Sequence, residues 1–308
     1  MTAGRVDSAV APVWGLLGVP SSAAAHWPGI EKAPAALRAA GILDVLRAEG
    51  ISVTDHGDLP VARWRSHRPD QRPNDSTRVA EGLREIDSAV CAIFNDGHRP
   101  LLLGGECTVV VGVMSALARR GVDTGLIYVD GGQDLMIPRD HPQEPILDGM
   151  GVAHLLDLPG VVEEIAGVGP CRPLLTPSRL AFVGFADEEE DIHGLVPSAR
   201  FPASVTAVDP IGTASAAIEA VTAAAASFVV HVDVDVLDFL DTPAADVPNY
   251  GRGLTLAQLV PLLGALVNDR RCAAMTFVEH NPDHGEPDGS TTVALVHALA
   301  QALAGSTA

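Results

Sequence analysis

Short apolar, β-branched runs recur along the whole chain, and Ala/Leu-rich stretches of helical length separate them. A strand that is apolar at nearly every position has no polar face for water, so it must be covered on both sides. The runs are Pro12–Val19, Ile51–Asp55, Pro100–Leu103, Gly125–Val129, Arg179–Gly184, Ser204–Val208, Ser227–Val232 and Ala273–Val278. Helical stretches include Pro34–Ala48, Thr77–Asn95, Thr108–Arg119, Thr213–Ala225, Leu256–Asn268 and Ser290–Leu303. This alternation predicts an α/β fold: a three-layer α/β/α sandwich around a mainly parallel central sheet. Neither a composition shift nor an internal repeat divides the 308 residues, so residues 1–308 are expected to form one domain. Arg63–Ser76, Asp140–Asp148 and Asp238–Arg252 read as loops, being polar or rich in Pro and Gly.

Charge and cysteine content exclude several function classes. With 20 Lys+Arg against 39 Asp+Glu, the net charge is −19, so no basic stripe exists to displace counterions from nucleic acid or bind an anionic membrane. Lys32 is the sole lysine, which removes most options for lysine catalysis. The four cysteines (Cys91, Cys107, Cys171, Cys272) form no CxxC pair and no disulfide framework, as expected of a reducing compartment. Ala9–Pro20 followed by Ala23–Ala25 has the outline of a secretory leader. Its Pro and Gly residues, with Asp7 ahead of it, suit a buried first strand better. No apolar stretch reaches the length of a membrane span, and the expected setting is soluble and cytoplasmic.

In a parallel sheet of this kind, ligands gather outside the carboxyl ends of the strands. Four runs end in polar residues there: Gly104-Gly105-Glu106-Cys107, Asp130-Gly131-Gly132-Gln133-Asp134, Asp233-Val234-Asp235 and Glu279-His280-Asn281-Pro282. One carboxylate at a strand end commonly caps a helix or satisfies a turn. Four aspartates on two converging strands repel one another, and either hold protons or bind a cation. Oxygen-rich sites favour hard divalent ions such as Mn²⁺ or Mg²⁺.

These four segments resemble, in order and approximate spacing, those of the ureohydrolase family of arginases, agmatinases and formiminoglutamases. That family's pattern is Gly-Gly-Asp-His, Asp-Ala-His-x-Asp, Asp-x-Asp and a Glu before Asn-Pro. The resemblance covers nearly the whole chain. It implies a central sheet of about eight strands and a dinuclear Mn²⁺ centre at which water attacks the carbon of a guanidino or related amidine small molecule. It further implies that Asp130 and Asp233 bridge two ions, that Asp134 and Asp235 each hold one, and that Glu279 holds the substrate's guanidinium. The family also implies a homo-oligomer, trimer or hexamer.

Three positions depart from the pattern. Cys107 stands at one histidine ligand, Gly132 at the other, and Asp148-Gly149 at the histidine that shuttles protons. A cysteine can ligate as thiolate, giving one ion a four-ligand site of Cys107, Asp130, Asp134 and Asp233 and shifting preference toward Zn²⁺ or Fe²⁺, while a second ion would keep Asp130, Asp233 and Asp235, with water filling the gap. Its place at a helix N-terminus would favour the thiolate. Asp148 can shuttle protons if its pKa is raised. In the acidic run Asp187–Asp191, Glu189 falls where the family recognises the substrate's amino group. His231, two residues before Asp233, shares its side of the strand, but no histidine falls at a family ligand position. The resemblance therefore implies a hydrolase of linear amidine C–N bonds with an altered metal centre. The alternatives are a single-metal enzyme of different chemistry, or a non-catalytic member that binds a small molecule.

Overall fold

The computed structural model describes residues 12–66, 75–140, 146–186 and 188–305. Residues 1–11, much of the Arg63–Ser76 loop, part of the Asp140–Asp148 loop and Asp187 lie outside the described residues. Eight strands form one sheet: β1 Trp14–Gly18, β2 Val53–Asp58, β3 Arg99–Leu103, β4 Thr124–Val129, β5 Leu180–Val183, β6 Ala199–Phe201, β7 Ser227–Asp233 and β8 Cys272–Val278. Their order is β2-β1-β3-β8-β7-β4-β5-β6, and every neighbouring pair is parallel.

Burial on both faces follows from the period-two alternation of strand side chains. Leu101 and Leu103 pack into one apolar cluster while Leu102, between them, packs into the other; Ile127 and Val129 alternate with Leu126 and Tyr128 in the same way. Leu37, Leu46, Ala217, Leu263 and Leu299 cover the first face from helices Ala33–Ala39, Ile42–Ala48, Pro210–Thr222, Leu256–Val267 and Ser290–Ala304. Leu83, Val90 and Val113 cover the second from Ser76–Asn95 and Val109–Arg119. The three layers expected from the sequence are those observed.

Two elements differ from the sequence reading. The stretch Pro34–Ala48 is two helices, because Gly41 takes φ +83° and ends the first of them. Ser204–Val208 is not a strand. The edge strand is the more polar Ala199–Phe201, and Pro202 then starts a helical turn, Ala203–Thr206, with the Thr206 hydroxyl donating to the Phe201 carbonyl at 3.1 Å. Val205 and Val208 of this β-branched run are exposed, so a preference for strand there had no partner surface to act on.

Candidate active site

The four polar segments leave neighbouring strands. In the sheet order, β3, β8, β7 and β4 are consecutive, and from their carboxyl ends come Cys107, Glu279, the Asp233/Asp235 pair and Asp130. The turn carrying Cys107 depends on Gly104, at φ +84°, where a Cβ would lie 2.7 Å from Pro34. Asp134 and Glu279 themselves take left-handed φ values of 51° and 64°. Such conformations are unfavourable for side chains other than glycine, and cluster where a binding site demands them.

The result is a cavity of about 160 Å³, lined by Asp130, Asp134, Asp148, Glu190, Asp233, Asp235 and Glu279, with His26 and Gly132 also on its wall. One oxygen of each of three acids is held by backbone. Gly132 N–H donates to Asp130 at 2.6 Å, Asp235 N–H to Asp233 at 2.6 Å, and Gly131 N–H to Asp235 at 2.8 Å. The second oxygens of Asp130 and Asp233 converge on Cys107 Sγ, at 3.6 and 3.0 Å. Oxygens of Asp130, Asp233 and Asp235 all lie within 4.8 Å of one another, as do Cys107 Sγ and oxygens of Asp148 and Glu279. Asp134 also faces the cavity, but one of its oxygens accepts from the Tyr128 hydroxyl.

The leading influences on these acids are burial and other carboxylates, and no arginine or lysine is among them. Burial first, and the Asp235 charge next, push Asp130 and Asp233 well above the ordinary carboxylate range. Burial and then Asp148 do the same to Glu279. Burial and then Glu106 raise Asp148 to about 8. The Cys107 thiol is pushed up too, by burial and then by Asp233, so the helix that follows it does not on its own yield a thiolate. Neither oxygen of Glu279, a residue 2% exposed, meets a donor among the described residues other than a proton shared with the neighbouring Asp148 carboxyl. A site that buries this much negative charge without protein cations is built to receive a positive one. The donor set therefore fits a divalent metal.

Glu189 lies elsewhere than its place in the sequence pattern suggests. Its side chain is half exposed and pairs with Arg200 at 2.8 Å, outside the cavity lining. The next residue, Glu190, turns inward instead and accepts from Gln133 N–H at 3.0 Å and Leu135 N–H at 3.3 Å. Glu190 also fills the space that a side chain at position 132 would need, since a Cβ on Gly132 would lie 2.8 Å from Glu190 Oε1. No sequence signal separates Glu189 from Glu190 in an acidic run, because a loop has no fixed period.

The histidines divide sharply. His154 bonds to the Met150 carbonyl and Val162 N–H, and His280 to the Ala244 carbonyl and the Thr292 hydroxyl, so both are committed within the core. His231 is fully buried beside the site, with Nε2 3.3 Å from Cys107 Sγ and Nδ1 2.7 Å from the Thr276 hydroxyl. Its position on the Asp233 side of β7 was readable from alternation; its approach to Cys107 was not.

The arginase family model matches residues 13–305. The chain belongs to the arginase family. Human arginase-1 is 27% identical over 296 residues, covering 94% of this chain and 91% of the relative. Among solved structures, the arginase from Bacillus caldovelox superposes with a TM-score of 0.84 at 22% identity, covering 96% of this chain and all (100%) of that one. The formimidoylglutamase from Bacillus subtilis gives 0.73 at 20% identity, covering 96% and 88%. Family membership accounts for the sheet order and the strand-end segments together. No described helix is long and apolar enough to cross a membrane.

Proposed function

We propose that this family member hydrolyses a C–N bond of a small linear amidine, a guanidino or formimino compound, at a metal-supported carboxylate site. The observation that carries the reading is Glu279, buried on the cavity wall and, among the described residues, meeting no donor beyond the proton shared with Asp148. A guanidinium or amidinium offers a planar positive charge with paired N–H donors, which matches a carboxylate bidentately. Asp130, Asp233 and Asp235, with Asp134 and Cys107, would hold one or two divalent ions, Mn²⁺ being the family's metal and Zn²⁺ or Fe²⁺ the choice if sulfur ligates. A bound ion would supply Lewis acidity and make water nucleophilic near neutral pH.

The chain's own residues do the remaining work. Glu279 fixes the amidine plane. Asp148 has Oδ1 anchored by Cys107 N–H at 2.7 Å, and its raised pKa leaves it able to carry a proton near neutrality. As water adds to the amidine carbon and the C–N bond breaks, the departing nitrogen needs a proton, and Asp148 is placed to deliver it. Glu190, rather than Glu189, is the carboxylate of the acidic run that meets the substrate's far end. We further propose one domain, a cytoplasmic setting and a trimeric or hexameric assembly. The test is to load the protein with Mn²⁺ and supply arginine, guanidinobutyrate and formiminoglutamate in turn. Release of urea or formamide from one of them is expected; silence with all three, on a protein shown to bind metal, overturns the reading.

A further inference from the structure

His231 is not used by the proposed reaction, yet it is buried, oriented and aimed at the site. Tyr128 stacks on it, with ring centroids 4.4 Å apart and planes within 6°. Thr276 holds Nδ1 at 2.7 Å, which leaves Nε2 facing Cys107 Sγ. Fixing one ring nitrogen by a hydroxyl so that the other points at a common centre is how proteins orient a metal-binding imidazole.

The distances around the sulfur have a pattern of their own. From Cys107 Sγ, His231 Nε2 lies at 3.3 Å, Asp233 Oδ2 at 3.0 Å and Asp130 Oδ2 at 3.6 Å. An ion with tetrahedral bonds of ordinary Zn–S and Zn–N/O length separates sulfur from its other donors by about 3.5 Å. The His231 and Asp130 distances match that separation, whereas the Asp233 oxygen, though near the sulfur, is not within 4.8 Å of those two donors together with it. A second observation points the same way: Cys107 Sγ, His231 Nε2 and an Asp130 oxygen all lie within 4.8 Å of one another, and all three residues are buried.

We propose that Cys107 Sγ, His231 Nε2 and one oxygen of Asp130 form a three-donor site, its fourth position left to water or substrate, that selects a thiophilic divalent cation, Zn²⁺ or Fe²⁺, over Mn²⁺. Binding replaces the thiol proton, which leaves to solvent, and His231 donates Nδ1–H to Thr276 while ligating through Nε2. This deepens the metal-supported reading above and rests on it for the presence of an ion, though not for the substrate.

The test uses the full chain, stripped of metal and titrated with Co²⁺ as a spectroscopic stand-in for Zn²⁺. The wild-type protein is expected to show an intense thiolate-to-cobalt charge-transfer band and the strong visible absorption of a tetrahedral ion. Cys107→Ser abolishes the charge-transfer band. His231→Gln, checked for folding by circular dichroism, weakens Zn²⁺ binding about ten-fold or more in chelator competition, and Zn²⁺ displaces Mn²⁺ from the wild type. The wild-type spectrum keeps the test decisive should either variant fail to fold. Co²⁺ bound without a sulfur band, with His231→Gln unchanged in affinity, overturns the inference and leaves amidine hydrolysis on a carboxylate-held ion intact. No Co²⁺ binding at all overturns both. A sulfur band without amidine turnover under any metal supports the site and removes the substrate assignment.

Discussion

Two buried aspartates show opposite answers to the same problem. Asp87, 4% exposed in helix Ser76–Asn95, accepts from the Ser115 hydroxyl at 2.5 Å and from the Arg119 guanidinium at 2.9 Å. Its carboxyl is held below the usual range, because those bonds and the Arg119 charge outweigh burial. Asp233, 5% exposed at the end of β7, lies deeper in the protein and meets a backbone amide, a thiol and other acids, and its pKa goes up. Depth of burial and the sign of the neighbours together decide how an acid behaves. Asp87 is balanced by the chain itself, whereas the acids at the sheet's carboxyl end await a charge that the chain does not provide.

This contrast can be broken or sharpened by experiment. The largest effect is expected at Glu279, the least satisfied acid. Glu279→Gln should leave the fold intact and lower kcat/KM for the amidine substrate by about 10²–10³-fold, since a positive transition state loses its counter-charge. Steady-state kinetics on the accepted substrate measures it, and a loss below ten-fold would assign the buried charge to the metal alone. At the balanced acid the cost falls on stability instead. Asp87→Ala should destabilise the chain by about 1–3 kcal/mol in denaturant unfolding, through lost hydrogen bonds and the unpaired Ser115 hydroxyl, with turnover unchanged.

A third comparison concerns the missing histidine. Gly132→His alone should give no gain in Mn²⁺ affinity, because the new side chain meets Glu190 Oε1 at 2.8 Å from its Cβ. Combined with Glu190→Ala it should raise Mn²⁺ affinity about ten-fold, as titration calorimetry would show. A gain from the single substitution would mean that Glu190 yields its place freely. The same contrast governs the pH dependence of stability without metal. Acids whose folded pKa is raised, such as Asp148 to about 8 and Glu106 to about 7, bind protons more tightly in the folded state. Their stabilising effect is full below the unfolded values near 4 and is lost as pH rises toward 7–8. Melting temperature of the metal-free protein should thus rise from pH 8 to pH 5, by about 5 °C or more, and saturating divalent metal should flatten or reverse the trend. Asp87, with a lowered pKa, contributes in the opposite sense: its stabilisation is present above the unfolded value and is lost only in acid.

The amino-acid sequence by itself determined the layered fold and the strand-end acids. Both follow from short-range rules: continuous apolar runs need two covered faces, and Asp130, Asp233 and Glu279 are tied by chain connectivity to the ends of their strands. It left undecided which of Glu189 and Glu190 turns inward, whether Ala199–Phe201 or Ser204–Val208 extends the sheet, and that His231 meets Cys107. Each of these is settled by partners far away in the chain: the backbone amides of Gln133 and Leu135 for Glu190, pairing to β5 for the edge strand, and the juxtaposition of β7 with the turn after β3 for His231. Local periodicity says which side of a strand a residue occupies, but only the packed sheet fixes what lies a few ångströms away from it.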